Sequence, residues 1–326
     1  MKPIPIIDAS VWMGNRAAYA QPWHRNYYAF YSSVLGGITT DPLLMAAPFD
    51  DHLVHRGDGV FETAKCVEGA IYALRPHLAR LRASAERIGL ARKWTDADLS
   101  QLIVETVRSG GRRDALIRLI LSRGGGSMGI NPADCPEPHL YILAYAANRP
   151  FMDAHPEGAK AVTVDVPLKP SWFATIKTCN YLPNAMMKRA AAAAGADFPV
   201  AFDERGFLAE GATENLGIVT RDGQLRLPKP DRILSGITVQ RAAELAQELV
   251  RDGRLAAVEN GDIDRASVAQ AAEVLVFGTT PDVTAVTRFD GKPVGDGRPG
   301  SVQSALNRLL TVDIRTNAAW RTPGGG

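Results

Sequence analysis

Two side chains of this sequence could together do carbonyl chemistry: the amine of Lys177 and the carboxylate of Glu210. A lysine that forms a Schiff base with an aldehyde cofactor needs a carboxylate that keeps a pyridine nitrogen protonated, because only the pyridinium ring absorbs the electrons. Most lysines are solvated at the surface, and Lys177 alone would be interpreted in the same way. Residues 176–184, however, join an apolar stretch to a predicted helix start, where a side chain points into a cleft. Loss of water there lowers the pKa of an amine and makes it nucleophilic.

Two short turns with small and hydroxyl-bearing residues could bind a phosphate group. Residues 235–238 open a predicted helix, whose first backbone N–H groups and dipole attract an anion. Residues 278–280 form a second such turn directly after an apolar run. A Ser/Thr turn alone is more often only a helix cap. With Lys177 and Glu210, the two turns indicate a site for pyridoxal 5'-phosphate.

The first half of the chain supplies a predicted α+β unit. Its opening at residues 23–31 is aromatic-rich and is expected to be irregular. Alternating residues around the turn Glu68-Gly69 predict a hairpin with strands at 59–67 and 70–74. Further patterns predict helices at 76–89 and 96–109 and strands at 114–122 and 139–146.

The second half carries the residues of the predicted site. A strand at 161–166 is followed by the Lys177 segment and a helix at 182–194, which ends at Gly195. Short strands are predicted at 200–203, 208–209, 216–220 and 224–227. A helix at 238–251 and strands at 274–277 and 283–288 complete the pattern.

A glycine-rich segment, Gly124 to Gly129, fits the spacing of a dinucleotide-binding turn after a strand. The residues that follow include Asn131 and Pro132, which do not continue a helix. The segment is therefore predicted to be a loop.

Composition favours a small-molecule partner. The 326 residues include 37 Lys plus Arg and 35 Asp plus Glu without a block of like charge, so a nucleic-acid or membrane surface is not indicated. The three cysteines, Cys66, Cys135 and Cys179, are widely spaced and predict neither disulfides nor a metal site. No run reaches the roughly 20 apolar residues of a membrane span, and a cytoplasmic location is expected.

Six segments, taken in order, resemble the class IV (fold-type IV) pyridoxal phosphate enzymes. This family includes branched-chain aminotransferases, D-amino-acid aminotransferases and aminodeoxychorismate lyase. Any one segment is a weak signal, whereas six in order over about residues 50–290 are a strong one. The segments are 56–63, 77–81, Lys177 with Asn180 and Tyr181, 210–215, 234–238, and Gly278 with Thr279.

The resemblance implies a role for each matching residue. Lys177 would be the catalytic residue that holds the cofactor aldehyde, and Glu210 would pair with the ring nitrogen. Tyr181 would hydrogen-bond the ring's phenolic oxygen. The phosphate would be held by Arg80, Ile237, Thr238 and Thr279.

The resemblance also implies the architecture, which is an α+β, two-domain fold working as a homodimer. The small N-terminal α/β domain would span residues 1–150, the linker 151–157, and the larger pseudo-barrel domain 158–326.

The residues that would indicate the substrate resemble two different branches of the family. Arg123 matches the place where D-amino-acid aminotransferases and the lyase keep a carboxylate-binding arginine, whereas residues 129–132 resemble the branched-chain branch. Phe61 and Thr280 are also expected to contact substrate. The leading interpretation is a transaminase acting on an amino acid or amine and a 2-oxo acid. The alternative is 4-amino-4-deoxychorismate lyase, which releases pyruvate and 4-aminobenzoate.

Overall fold

The hairpin around Glu68 and Gly69 forms as predicted in the computed structural model, which describes residues 4–324. Both turn residues have positive φ, 52° and 77°, which a two-residue type I′ turn requires. The first strand spans Gly59–Val67, and the second ends at Tyr72 because Ala73, at φ 56°, turns the chain into a helix.

The hairpin lies in the first of two sheets, which has seven strands within the described chain. The strands are β1 (Tyr27–Ser32), β2 (Gly37–Thr39), β3 (Gly59–Val67), β4 (Ala70–Tyr72), β5 (Ala115–Ser122), β6 (His139–Tyr145) and, from the end of the chain, β15 (Arg321–Pro323). Their spatial order is β15-β4-β3-β5-β6-β1-β2, and all neighbours are antiparallel.

The second sheet is mixed. The strands are β7 (Ala159–Thr163), β8 (Phe198–Val200), β9 (Asn215–Val219), β10 (Gln224–Pro228), β11 (Ala257–Gly261), β12 (Glu273–Gly278), β13 (Asp282–Phe289) and β14 (Lys292–Pro293). Their order is β11-β10-β9-β12-β13-β7-β8, with β14 attached to β13. The pairs β10·β11, β13·β7 and β7·β8 are parallel.

Helices pack on both sheets and bury apolar cores. The first sheet packs Ile71 against Leu81 and Ile103, and the second packs Leu275 against Ala246 and Leu306. The α-helices are α1 (Ala9–Asn15), α2 (His52–Arg56), α3 (Leu74–Arg87), α4 (Asp96–Ser109), α5 (Phe151–Ala154), α6 (Ser171–Ala174), α7 (Leu182–Ala193), α8 (Ile237–Arg251), α9 (Arg265–Gln270) and α10 (Ser301–Thr316). Among residues 4–324, no helix has both the length and the apolar content needed to cross a membrane.

Some sequence predictions differ from the structure. The opening expected to be irregular contains β1, whose aromatic residues pair with β6 on one side and β2 on the other. The strand predicted at 200–203 lies at Phe198–Val200, where it pairs with β7. The strand predicted at 208–209 forms only an isolated bridge between Phe202 and Leu208.

The glycine-rich segment after β5 is a loop, as predicted. No helix follows Ser122 until a short 3₁₀ turn at Pro132–Asp134. A side chain at Gly126 would lie 2.6 Å from the Asp134 carbonyl oxygen, so glycine lets two parts of this loop approach closely.

The end of the chain returns to the first sheet, which the proposed domain boundaries do not anticipate. After α10, β15 pairs antiparallel with β4, and Trp320 stacks on Tyr72 with ring centroids 5.9 Å apart. The boundaries at residues 150 and 158 stay a prediction.

Candidate active site

The backbone of Lys177 is fixed between two elements of the first sheet and its helices. The Lys177 carbonyl accepts a 3.0 Å hydrogen bond from the Phe61 N–H of β3, and the Cys179 N–H donates to the Gly59 carbonyl at 2.8 Å. The Lys177 N–H donates to the Ser84 hydroxyl of α3 at 3.2 Å. Backbone hydrogen bonds of Lys177 and Cys179 therefore fix the direction of the Lys177 side chain.

The Lys177 amine lies in an aromatic, nearly dry environment. Its Nζ is 3.3 Å from the Tyr181 hydroxyl and 4.4 Å from the Phe61 ring centroid, and the residue is 8% exposed. Burial, together with the nearby Arg80 charge, lowers the pKa of this amine to about 7. A large share of the amine is thus neutral and nucleophilic near neutral pH.

Tyr181 stands directly before α7 and faces the amine. Its ring meets the Phe61 ring edge-on, with centroids 4.9 Å apart and planes at 73°. Burial raises the pKa of the phenol well above its usual value, so the hydroxyl keeps its proton and can donate it in a hydrogen bond.

Glu210 is a half-buried carboxyl whose pKa, like that of Lys177, lies near 7. The Leu234 N–H donates to its Oε2 at 3.2 Å. Burial raises the pKa of Glu210 to about 7, against the lowering effects of that hydrogen bond, Lys169 and Lys177. Such a group can take or share a proton with a basic ring nitrogen placed against it.

The N-terminus of α8 lies beside Lys177 and Tyr181, and the turn before it is tightly packed. Asn215 Nδ2 donates to the Leu234 carbonyl at 2.8 Å, which fixes the turn before the helix. At Gly236 an added Cβ would lie 1.9 Å from Asn215 Oδ1, so only glycine fits. This turn presents the first N–H groups of a 15-residue helix, Ile237 and Thr238 included, for an anion.

Arg80 is held by a carboxylate that sequence reasoning missed. Its Nε and Nη2 donate to the two oxygens of Glu62 at 2.7 and 2.8 Å, and its Nη1 donates to the Ser235 carbonyl at 3.0 Å. Glu62, 2% exposed, also contacts His77 Nδ1 at 2.7 Å, and Arg80 helps to hold the pKa of its carboxyl far below the usual value. These contacts use three of the five guanidinium N–H groups, so two remain for an anion.

Eight of the predicted site residues line one cavity of about 280 Å³: Phe61, Arg80, Lys177, Tyr181, Ile237, Thr238, Thr279 and Thr280. Glu210 lines an adjoining hollow that shares several walls with this cavity, among them Tyr181 and Leu234. Further residues line the cavity to which sequence reasoning gave no role in the site: Thr63, Arg118, Tyr145, Thr213, Asn215 and Phe277.

Arg123 is not brought to the cavity. Its Nε and Nη2 donate to the Asp58 carboxylate at 3.0 and 3.1 Å, and its remaining contacts are the Ile88 and Gly89 carbonyls at the end of α3. The Arg123 guanidinium is therefore already engaged with Asp58 and the end of α3, which does not fit the carboxylate-binding role expected from the sequence.

A second arginine, Arg118, lies on the wall of the cavity. Its guanidinium lies 4.7 Å from the Phe61 ring centroid on the cavity wall, with no hydrogen bond or ion pair to another residue of the described chain. A sequence signal existed, because Arg118 interrupts the apolar run of β5 and must face the side opposite to Ile117 and Leu119.

Comparisons with known proteins show the family to which the chain is similar. The sequence model of the family Amino-transferase class IV matches residues 59–289. The chain is 36% identical to the chloroplastic D-amino-acid transaminase of Arabidopsis thaliana over 96% of its own length and 83% of that protein. It is 29% identical to the D-alanine aminotransferase of Bacillus licheniformis, over 83% of this chain and 94% of that one.

A solved structure confirms the predicted fold. The T.th. branched-chain amino acid aminotransferase, complexed with N-(5'-phosphopyridoxyl)-L-glutamate, superposes with a TM-score of 0.83 at 27% identity. The match covers 92% of this chain and 99% of that one. The α+β, two-domain fold and the resemblance noted from six sequence segments are thus confirmed, and the chain belongs to the class IV amino-transferase family.

Proposed function

We propose that this protein transfers an amino group between an amino acid and a 2-oxo acid, with pyridoxal 5'-phosphate bound in the cavity. The observation that carries the proposal is the Lys177 amine, which is buried, has a pKa lowered to about 7 and lies 3.3 Å from the Tyr181 hydroxyl. The T.th. relative is solved with a phosphopyridoxyl compound, which supports the same cofactor here.

The donors of the cavity fit this cofactor. The N-terminus of α8 at Ile237 and Thr238, the Thr279 turn and the two remaining N–H groups of Arg80 suit a phosphate. Glu210 suits the ring nitrogen. The volume of about 280 Å³ lies near the lower end of the usual range for small-molecule sites.

Each residue then has a chemical task. When bound, the cofactor supplies an electron-withdrawing ring that stabilises negative charge at the substrate's α-carbon. Lys177 would hold the cofactor through its aldehyde carbon in the resting protein. Once the substrate amine has released it, Lys177 Nζ would be the base that takes the proton from the substrate's α-carbon and returns it to the carbon of the cofactor that carried the aldehyde. The Tyr181 hydroxyl orients Nζ, and Glu210 holds the proton of the ring nitrogen.

Arg118 favours an amino acid over a simple amine as substrate. Its guanidinium, which has no hydrogen bond or ion pair within residues 4–324, lies on the same cavity wall as Phe61 and can bind a carboxylate in a bidentate way. We therefore assign carboxylate recognition to Arg118 rather than to Arg123. The transaminase interpretation is also favoured over the lyase because the relatives reported above are named transaminases and aminotransferases.

The test is a spectrum of the protein reconstituted with pyridoxal 5'-phosphate, recorded before and after addition of single L- and D-amino acids. We expect the visible band to bleach with one series and to return when a 2-oxo acid is added. A control with 4-amino-4-deoxychorismate is analysed for pyruvate and 4-aminobenzoate. Formation of those products without amino transfer would overturn the proposal in favour of the lyase.

The homodimer and the cytoplasmic location expected from the sequence stay predictions. Light scattering of the purified protein tests the first, and fractionation of source cells tests the second.

A further inference from the structure

A second lysine, Lys169, lies beside Tyr181 in the hollow that adjoins the cavity. Its Nζ is 4.4 Å from the Tyr181 ring centroid and 5.6 Å from that of Phe173. The residue lines the hollow that also contains Glu210. Within residues 4–324, no hydrogen bond or ion pair engages this half-buried ammonium group.

Tyr181 therefore stands between two lysines that contact it differently. Lys177 reaches the phenol oxygen at 3.3 Å, with its Nζ 5.6 Å from the ring centroid. Lys169 lies closer to the ring centre, where the negative face of the aromatic ring attracts a cation. Phe61 meets the ring edge-on. The orientation of Tyr181 thus depends on Lys169 as well as on Phe61.

The charges that face Glu210 come from several elements. Lys169 and Lys177 stabilise its ionised form, as does the Leu234 N–H, whereas Glu214 opposes it. The Tyr181 phenol also lies in the same hollow. Lys169 and Lys177 are thus the cations that support the Glu210 carboxylate.

Under the proposed function, on which this step rests, the two lysines differ in the resting protein. When Lys177 is bonded to the aldehyde, its amine no longer acts as a free ammonium group. Lys169 then remains as the lysine whose charge lowers the pKa of Glu210 against the raising effect of burial. A carboxyl that must keep a ring nitrogen protonated has to be ionised itself.

We propose that Lys169 is a positioning residue, which keeps the Glu210 carboxylate ionised and holds the Tyr181 ring in place beside Lys177. Lys169 itself is assigned no contact with the substrate or with the reacting atoms of the cofactor. Its effect reaches the cofactor through Glu210 and Tyr181.

The first experiment uses protein without cofactor. The glutamate carboxyl carbons are labelled with ¹³C, and the Glu210 resonance is assigned by its loss in Glu210→Gln. In Lys169→Met the titration midpoint of Glu210 should rise by about one pH unit, because a nearby positive charge is lost. Lys169→Arg should restore the wild-type midpoint. If Lys169→Met folds poorly, Lys169→Gln serves for the same measurement.

Lys188→Met provides the matched control. Lys188 also places its Nζ over an aromatic ring, 5.0 Å from the Phe198 centroid, but it lies on α7 outside the cavity and hydrogen-bonds the Asp197 carbonyl. This variant should leave the Glu210 titration unchanged. An equal shift in Lys188→Met and Lys169→Met would overturn the proposal, because the shift would then reflect the change in net charge and not the position of Lys169.

The second experiment separates this inference from the function on which it rests. Protein loaded with pyridoxal phosphate that is ¹⁵N-labelled in the ring should show a ring-nitrogen resonance shifted toward the neutral value in Lys169→Met. Borohydride reduction should still attach the cofactor to Lys177 in both proteins. Attachment with an unchanged nitrogen resonance and an unchanged Glu210 titration overturns the role of Lys169 alone. Failure of attachment in the wild type overturns the proposed function instead.

Discussion

At the scale of single residues, the site depends on two groups whose pKa values move toward each other. Burial lowers the pKa of Lys177 and raises that of Glu210, so that both titrate at about 7. An amine and a carboxyl with these values can both exchange protons near neutral pH, which ordinary lysine and glutamate side chains do not do.

The first prediction concerns the pH dependence of cofactor attachment. Because the pKa of Lys177 is lowered, its amine is protonated below about pH 7 and neutral above it. The rate at which cofactor-free protein bonds pyridoxal phosphate, divided by the rate for N-acetyl-lysine methyl amide in the same buffer, should rise steeply as the pH falls from about 9 to about 7 and level off below that. Stopped-flow absorbance measures both rates. A ratio that stays constant from about pH 9 down to about pH 7 would show that Lys177 behaves as an ordinary lysine.

The second prediction assigns carboxylate recognition to Arg118. Arg118→Met should raise KM for amino-acid substrates about 10- to 100-fold, since a charge-assisted hydrogen bond contributes about 1.5–3 kcal/mol. Steady-state kinetics with amino acids and with an amine that lacks a carboxylate measure the effect. Arg112→Met is the control, because Arg112 also lies over an aromatic ring, 5.5 Å from the Tyr28 centroid, but outside the cavity. An unchanged KM in Arg118→Met would contradict the assignment.

At the scale of elements, the N-terminus of α8 and the turn before it form the predicted phosphate site. Replacement of Gly236 by Ala should raise the apparent Kd for pyridoxal phosphate at least about tenfold, because the new Cβ would lie 1.9 Å from Asn215 Oδ1 and displace the turn. Fluorescence titration measures Kd. Gly14→Ala, a position with no neighbour within 4 Å, should leave Kd unchanged. Equal affinities in both variants would exclude this turn from the phosphate site.

Elements with local signals could be predicted from the sequence, and elements fixed by distant partners could not. The hairpin around Glu68 and Gly69 follows from turn chemistry, and α4 begins at a Thr95–Asp98 capping box. Strand β1 was missed because its aromatic run lacks alternation, and its partners β2 and β6 come later in the chain. Long-range pairing of this kind has no signature in the segment itself.

The site shows the same division. The residues placed by motif, such as Lys177 and Thr238, line the cavity where expected. Arg123 could not be separated from Arg118 by motif alone, because the difference lies in their partners: Asp58 engages one guanidinium, while the other is free toward the cavity. The place of Lys169 in the site could not be predicted from the sequence, because its contact with Tyr181 forms only in the folded chain.

At the scale of the whole molecule, the two sheets are joined by a buried ion pair. Lys65 of β3 in the first sheet hydrogen-bonds Asp282 at the start of β13 in the second, and both side chains are largely buried. Asp282 follows the turn that carries Thr279 and Thr280. The pair therefore sets the position of this turn relative to the first sheet.

A matched pair of variants tests this connection. Lys65→Met should lower the free energy of unfolding by about 3 kcal/mol, because it leaves Asp282 buried without its partner. Lys65→Met combined with Asp282→Asn should recover part of that loss, since no buried charge remains; Asn also tolerates the positive φ of 53° at this position. Denaturant unfolding of the cofactor-free protein measures both. Equal losses in the single and the double variant would argue against a charge effect.

The role proposed for Lys177 is tested by locating the lysine to which the cofactor is covalently attached. The protein is loaded with pyridoxal 5'-phosphate, reduced with borohydride, digested and mapped by mass spectrometry, with Lys177→Ala processed in parallel. We predict a single modified peptide in the wild type, carrying the phosphopyridoxyl group on Lys177, and no modified peptide in the variant. Modification of another lysine in both proteins, with Lys177 unmodified, would show that Lys177 is not the catalytic amine.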